Sequence, residues 1–179
     1  MEIRRARPDD FSDILRTQSA NLAWNLTGAE RAGGFLSAEF TRKHLEEIAE
    51  GIALLVASDG GRTAGYLCAY SCAYAKQFAI LAEMIKAFDR VPYKGKPLSS
   101  YSSFVYGPVC IGRSYRGQGL LRQLYELLLK VSREYDVGIA FVSQDNPHSL
   151  AAHVDGLKMV NAGAFDFKGR TYDILVFDT

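Results

Sequence analysis

Cysteine, net charge and long apolar runs are all scarce in this chain, and each shortage excludes a class of structure. Cys68, Cys72 and Cys110 are an odd set without the paired spacing of a zinc site, so neither a disulfide framework nor a bound metal is expected. They read as reduced thiols, Cys68 and Cys72 with core roles on one face of a strand. No window reaches the run of about 20 apolar residues that a membrane span needs. The opening MEIRRARPDD holds no apolar stretch of signal-peptide length, so no membrane association and a cytoplasmic location are expected. A net charge of +1 supplies no field to hold a polyanion, and no nucleic-acid partner is expected.

What the chain does contain is the balance of a globular protein, with 179 residues, 48% hydrophobic and 23% charged. That length suits one domain, residues 1–179, around one core. Glu2 to Ala6 reads as a strand, and Pro8-Asp9-Asp10 supplies the rigid turn and first-turn acids of a helix through Ile14 and Leu15. Residues 25–36, with Gly28, Gly33 and Gly34, read as a loop with room for mobility before a helix over Ser37–Glu50. Ile52–Ala57 and Thr63–Cys72 flank Asp59-Gly60-Gly61 as a β-hairpin.

Phe78, Leu81, Met84, Ile85 and Phe88 recur at helical spacing and predict an amphipathic helix over Ala75–Asp89 whose stripe packs on the sheet. VPYKGKPLSS, residues 91–100, predicts a loop. Tyr101–Ile111 reads as a strand broken by Gly107-Pro108, because proline cannot donate to a ladder. A helix over Gly117–Glu134 and a buried strand over Val137–Val142 follow, and strand, helix and strand in this order imply a parallel crossover. Asn146–Asp155 predicts another helix, with Asn146 as its N-cap, and Met159–Phe167 with Thr171–Phe177 a closing hairpin.

The segment with the most chemistry is IGRSYRGQGLL, residues 111–121, where a strand ends, glycines cluster and a leucine-rich helix begins. A helix N-terminus carries about half a positive charge and exposes backbone N–H groups. Gly117 and Gly119 would let a pyrophosphate approach those amides without a Cβ in the way, and Arg116 would add a charge-assisted contact. A Rossmann fingerprint is excluded because Arg122 stands where its third glycine belongs, and a P-loop because Gly-Lys-Ser/Thr is absent.

This segment resembles the cofactor motif of the GNAT acetyltransferase superfamily, Q/R-x-x-G-x-G/A after a strand, as Arg116, Gly117, Gln118, Gly119, Leu120 and Leu121. Leu121 stands where the family has glycine or alanine. The order of elements along nearly the whole chain is similar to the family's, and NPHSLAAHVDGL matches its second motif with Asn146, Ser149 and His153, the last where the family commonly has tyrosine. The resemblance implies a mixed α/β fold with a central twisted sheet of about seven strands, a parallel central pair and flanking helices. It also implies acetyl-CoA as acyl donor and an amine acceptor, small molecule or protein, with a homodimer open to the fold. The two central strands would splay there, with the pantetheine arm pairing along Val109, Cys110 and Ile111, and Asn146 and Ser149 assisting.

Acetyl transfer needs a neutral amine, and a lysine-like amine lies about 3.4 units above neutrality, a deprotonation cost of about 4–5 kcal/mol. The strand over Tyr101–Ile111 holds no acid or histidine, which leaves Glu83 and Asp145 as weak candidates for the base, each more at home in solvent. His153 is placed to assist the leaving CoA thiolate, its reference pKa of about 6.5 suiting proton exchange. A covalent route through Cys110 is not expected, since no histidine lies near it in sequence. Tyr70, Tyr101 and Tyr106 read as sheet residues, and an acyl-CoA-binding module without turnover is the competing reading.

Overall fold

The computed structural model describes all 179 residues. In chain order it contains β1 (Glu2–Arg5), α1 (Phe11–Ser19), α2 (Gly28–Arg31), α3 (Arg42–Glu50), β2 (Ala53–Asp59), β3 (Arg62–Ser71), α4 (Cys72–Ala75) and α5 (Ala79–Lys86). Then come β4 (Pro92–Tyr93), β5 (Lys96–Pro97), β6 (Ser103–Ile111), α6 (Leu120–Val131), β7 (Val137–Ser143), α7 (Pro147–Ala151), β8 (Val160–Phe167) and β9 (Arg170–Asp178). Seven strands form one mixed sheet in the order β1-β2-β3-β6-β7-β9-β8, and β4 with β5 form a separate ribbon. β6 and β7 run parallel, Ser103–Val105 against Val137–Ile139, whereas β2–β3 and β8–β9 are the antiparallel hairpins that their turns imply. No helix is long and apolar enough to cross a membrane.

Contacts gather the chain into two compact units. The first comprises Met1–Ala69 and Tyr106–Ser132. Ala53, Leu54, Leu55, Val56 and Ala57 are each at most 1% exposed, so both faces of β2 are covered, and α3 and α6 both pack on that strand. α6 buries Leu120, Leu124, Tyr125 and Leu128, one face of the leucine stripe read in the sequence. Arg4 forks onto Asp10 at 2.6 and 2.9 Å, and Asp10 also accepts the Arg7 N–H at 2.7 Å, which ties β1 to the start of α1.

The second unit comprises Tyr70–Val105 and Arg133–Thr179. Gly138 of β7 faces Phe177 of β9, and a Cβ there would lie 2.1 Å from the ring, so the ring occupies the space a side chain would need. Phe104 meets Phe177 and Tyr135 edge-on, with centroids at 5.9 and 5.2 Å. α5 packs on β8 through a stripe that includes Leu81 and Met84, as its spacing requires.

Five element boundaries differ from the sequence reading, each for a local reason. α3 begins at Arg42 rather than Ser37, because Thr41 and His44 cap it reciprocally and Gln18 holds the Phe40 backbone through two 2.9 Å hydrogen bonds. β3 stops at Ser71, whose hydroxyl accepts the Tyr74 N–H and starts α4, so Cys72 is helical. The helix expected over 75–89 forms only over Ala79–Lys86, because Phe78 is extended as its N-cap, with Tyr74 edge-on between Tyr70 and Phe78. The loop over 91–100 holds the β4–β5 ribbon, turned at Lys94-Gly95. The helix expected from Gly117 starts at Leu120, since Gly117 and Gly119 are left-handed.

Candidate functional site

The turn from Ile111 to Leu121 lies wholly in the first unit. β6 ends at Ile111, the Gly112 N–H donates to the Ala64 carbonyl at 2.8 Å, and a tight helical turn over Arg113–Tyr115 precedes the glycines. Gly117 and Gly119 both have φ of +75°, a conformation that costs an L-residue roughly 1–2 kcal/mol. Gly119 is the N-cap of α6 and no side chain caps that end. The first-turn N–H groups of a helix have no intrahelical carbonyl to bond. Gly117, Gln118 and Gly119 are exposed, Leu120 is buried and Leu121 half-buried, so the bulk of Leu121 is partly turned into the fold. Gln118 Nε2 returns to the Ser114 carbonyl at 3.1 Å and closes the turn on itself. Such a turn presents aligned donors and a positive dipole end to an anion at the surface.

Arg116 stands just before those glycines, and its side chain is directed into the protein. Nε donates to the Ile111 carbonyl at 3.1 Å, Nη1 to the Gly33 carbonyl at 2.6 Å and Nη2 to Asn21 Oδ1 at 2.8 Å. The segment over 25–36 is therefore tied to this turn at Gly33. Its ends are joined by Leu36 N–H to Asn21 O and Ala23 N–H to Leu36 O, at 2.8 and 2.9 Å. Within it, Thr27 and Glu30 cap α2 reciprocally, and Arg113 reaches Glu30 at 2.8 Å. The Thr27 backbone N–H first, then Arg113 and the Thr27 hydroxyl, lower the Glu30 carboxyl to about 2.

In β6, Val109 and Ile111 are half-buried and Cys110 is 5% exposed. Pro108 removes one backbone donor from the strand, and Gly107, at φ +113°, bends it. β3 approaches closely enough that a Cβ on Gly65 would lie 2.9 Å from the Cys110 carbonyl. Burial pushes the Cys110 thiol up to about 12, with Arg116 only partly opposing it, so this is no ready thiolate nucleophile.

Asn146, Ser149 and His153 lie in the second unit. Asn146, 4% exposed, caps α7 by accepting the Ser149 N–H at 3.2 Å, and its own N–H bonds Ser143 O at 2.8 Å. After α7 the helix widens to a π-helical turn over Ala152–Gly156, which carries His153. His153 is 5% exposed, with Nδ1 2.7 Å from the Ser149 carbonyl. A carbonyl only accepts, so Nδ1 carries a proton, and the neutral ring then has an acceptor at Nε2. Burial lowers the His153 pKa, which favours that neutral form. Nε2 donates only in the imidazolium, the reverse of the donor to a thiolate that the sequence suggests.

Glu83 is half-buried and pairs with Lys86 at 3.0 Å, whereas Asp145 is exposed. Tyr70 and Tyr106 are buried, and Tyr101 donates to the Tyr93 carbonyl at 2.8 Å. Sequence reasoning missed Asn21 and Gly33 as partners of Arg116, 95 and 83 residues away, and no local pattern marks such pairs. It also missed Asp173, buried in β9 and accepting from Gln144 at 2.8 Å.

No protein-family model and no curated protein matches the chain. Solved structures do match along its whole length. A GNAT-family acetyltransferase of Streptococcus agalactiae superposes with a TM-score of 0.68 at 15% identity, over 99% of this chain and 95% of that one. The ribosomal-protein-alanine N-acetyltransferase of Brucella melitensis gives 0.64 at 19% identity, over 100% of both chains. A Salmonella typhimurium protein solved with its cofactor acetyl-CoA gives 0.64 at 15% identity, over 99% of this chain and 93% of that one. The fold is that of the GNAT acetyltransferases.

Proposed function

We propose that this protein is an acyl-CoA-dependent N-acetyltransferase that moves an acetyl group from acetyl-CoA to a primary amine by direct attack. The observation that carries the reading is the turn over Arg116–Leu121, where two left-handed glycines lead into an α6 N-terminus that no side chain caps, in a chain with the GNAT fold. Those features fit a pyrophosphate, because the first-turn N–H groups of α6 lack intrahelical carbonyls and the glycines before them carry no Cβ to keep an anion away. In this reading the turn headed by Arg116 holds the phosphates through the backbone of Gly117, Gln118, Gly119, Leu120 and Leu121, and the backbone of Val109, Cys110 and Ile111 receives the pantetheine arm. Asn146, Ser149 and His153 are assigned to the reaction on their motif spacing.

Acetyl-CoA as substrate supplies the thioester; the amine nitrogen bonds the acetyl carbon, the C–S bond breaks and CoA leaves as thiolate. A strand N–H beside the carbonyl oxygen stabilises the charge that develops there, often the largest catalytic term. Pro108 cannot serve, so the donors are those of Val109 to Ile111. The raised Cys110 thiol argues for attack without a cysteine intermediate. His153, with a proton on Nδ1 and its pKa lowered by burial, is the titratable group of that second motif.

The test is release of free CoA from acetyl-CoA across a panel of amino acids, polyamines and peptides. Amine-dependent release supports the enzyme. Tight CoA binding with only slow, acceptor-independent thioester hydrolysis would support the second reading, an acyl-CoA-binding module. That reading is favoured by the absence of any acid or histidine on β6 and by Leu121 where the family has a small residue.

A further inference from the structure

The Arg116 side chain offers more than a charge. It places three donors on three oxygens contributed by separated parts of the chain: Ile111 in its own turn, Gly33 beyond α2, and Asn21 beyond α1. All three acceptors are neutral, and no carboxylate pairs with Arg116 in this network. The acceptors are themselves fixed. Asn21, 4% exposed, anchors its amide nitrogen on the Thr17 carbonyl at 2.8 Å, so its oxygen is held toward the guanidinium. At Gly33 a Cβ would lie 2.9 Å from Nη1, which accounts for a glycine there without any appeal to its backbone angles. A second tie, Arg113 to Glu30, joins the same two segments but is half-exposed and weak.

We propose that Arg116 is a positioning residue, a strut that fixes the anion-binding turn against segment 21–34, and that it acts on a bound CoA through this geometry rather than as a ligand to its phosphates. The inference rests on the proposed function only for its effect on CoA. A planar fork with donors in fixed directions suits three divergent acceptors, and an ammonium does not reproduce it. Backbone donors are useful to an anion in proportion to how firmly they are held beforehand. The chain's single tryptophan, Trp24, lies between Asn21 and Gly33, is 56% exposed, and reports on the strutted segment. Its neighbour Ala23 accepts from Arg31 at 2.7 Å, inside the same segment.

The experiment compares wild type with Arg116→Lys, Arg116→Gln and Gly33→Ala by hydrogen–deuterium exchange, Trp24 emission and calorimetric titration with CoA. A strut predicts that all three substitutions speed exchange in both 21–34 and 112–119 without any ligand. It predicts that Lys is no better than Gln, each weakening CoA on the order of tenfold, from hydrogen bonds of a charged donor. Gly33→Ala keeps the arginine and its charge while its Cβ crowds Nη1, so a CoA defect in that variant together with faster exchange in both segments is the pattern of a strut. Trp24 emission shifts on CoA addition in wild type and less so in Gly33→Ala. The proposal is overturned if Arg116→Lys keeps wild-type exchange and CoA affinity within about twofold while Gln loses affinity, the pattern of a phosphate ligand. It is also overturned if exchange rises in only one segment. If wild type does not bind CoA, the proposed function fails, and the exchange data without ligand still decide the strut. If Arg116→Gln does not fold, Gly33→Ala and Lys carry the comparison.

Discussion

Gly119 is where conformation and proposed function meet, and its replacement separates them. Its φ of +75° and ψ of 8° place it in the left-handed region at the N-cap of α6. An added Cβ would meet only Gln123 Nε2, at 3.9 Å, so Gly119→Ala creates no clash and its cost is conformational. That cost is roughly 1–2 kcal/mol if the turn keeps its shape. Asparagine tolerates the left-handed region better, so Gly119→Asn should lose less than alanine does. Urea unfolding reads the difference: with a slope of about 1–3 kcal/mol/M, alanine moves the midpoint down by roughly 0.3–2 M and asparagine by less. CoA titration then tells whether the turn kept its shape, because a relaxed turn saves stability and loses affinity. Alanine with neither a midpoint shift nor an affinity loss, or asparagine worse than alanine on both, would refute the reasoning.

Three other perturbations follow from particular groups. Tyr66 is fully buried and its hydroxyl has no hydrogen-bond partner in the protein, so Tyr66→Phe removes an unmet desolvation cost of roughly 1–3 kcal/mol and should raise the thermal midpoint by several degrees; a lowered midpoint would contradict this. Asp10 is held below the usual carboxylate range, first by its hydrogen bonds to Arg4, so its contribution is present above about pH 3.9 and lost as pH falls through its lower folded value. Asp10→Asn should cost about 2–3 kcal/mol near neutrality and flatten that acid limb in urea titrations. His153 is depressed by burial, so the unfolded state binds the extra proton first: stability is whole above about pH 6.5 and declines below it, and His153→Gln should remove that slope.

Much of the fold follows from signals that act over short range. The turns at Gly60-Gly61 and Lys168-Gly169, the apolar run of β2 and the leucine stripe of α6 each specify their element almost alone. Boundaries were harder because local conformation decides them: Ser71 starts a helix inside a strand-like run, and an extended Phe78 delays the helix that carries the 78–88 stripe until Ala79. The ribbon over 92–97 hid behind two prolines that read as loop. At the site, the glycines of the anion-binding turn were legible because their backbone angles demand glycine, and Asn146 because an N-cap is local. What Arg116 does was not legible, since its partners arrive from far along the chain. Nor was the protonated nitrogen of His153, which is set by the Ser149 carbonyl in a widened helical turn.

The most direct test of the account is calorimetric titration of the purified protein with acetyl-CoA, beside an Arg116→Ala, Gly119→Trp double variant whose folding is checked by circular dichroism. Saturable binding in the micromolar range that the folded variant loses is the predicted result; a wild-type protein that shows no binding would contradict it, and would leave the likeness to acetyltransferases one of fold alone.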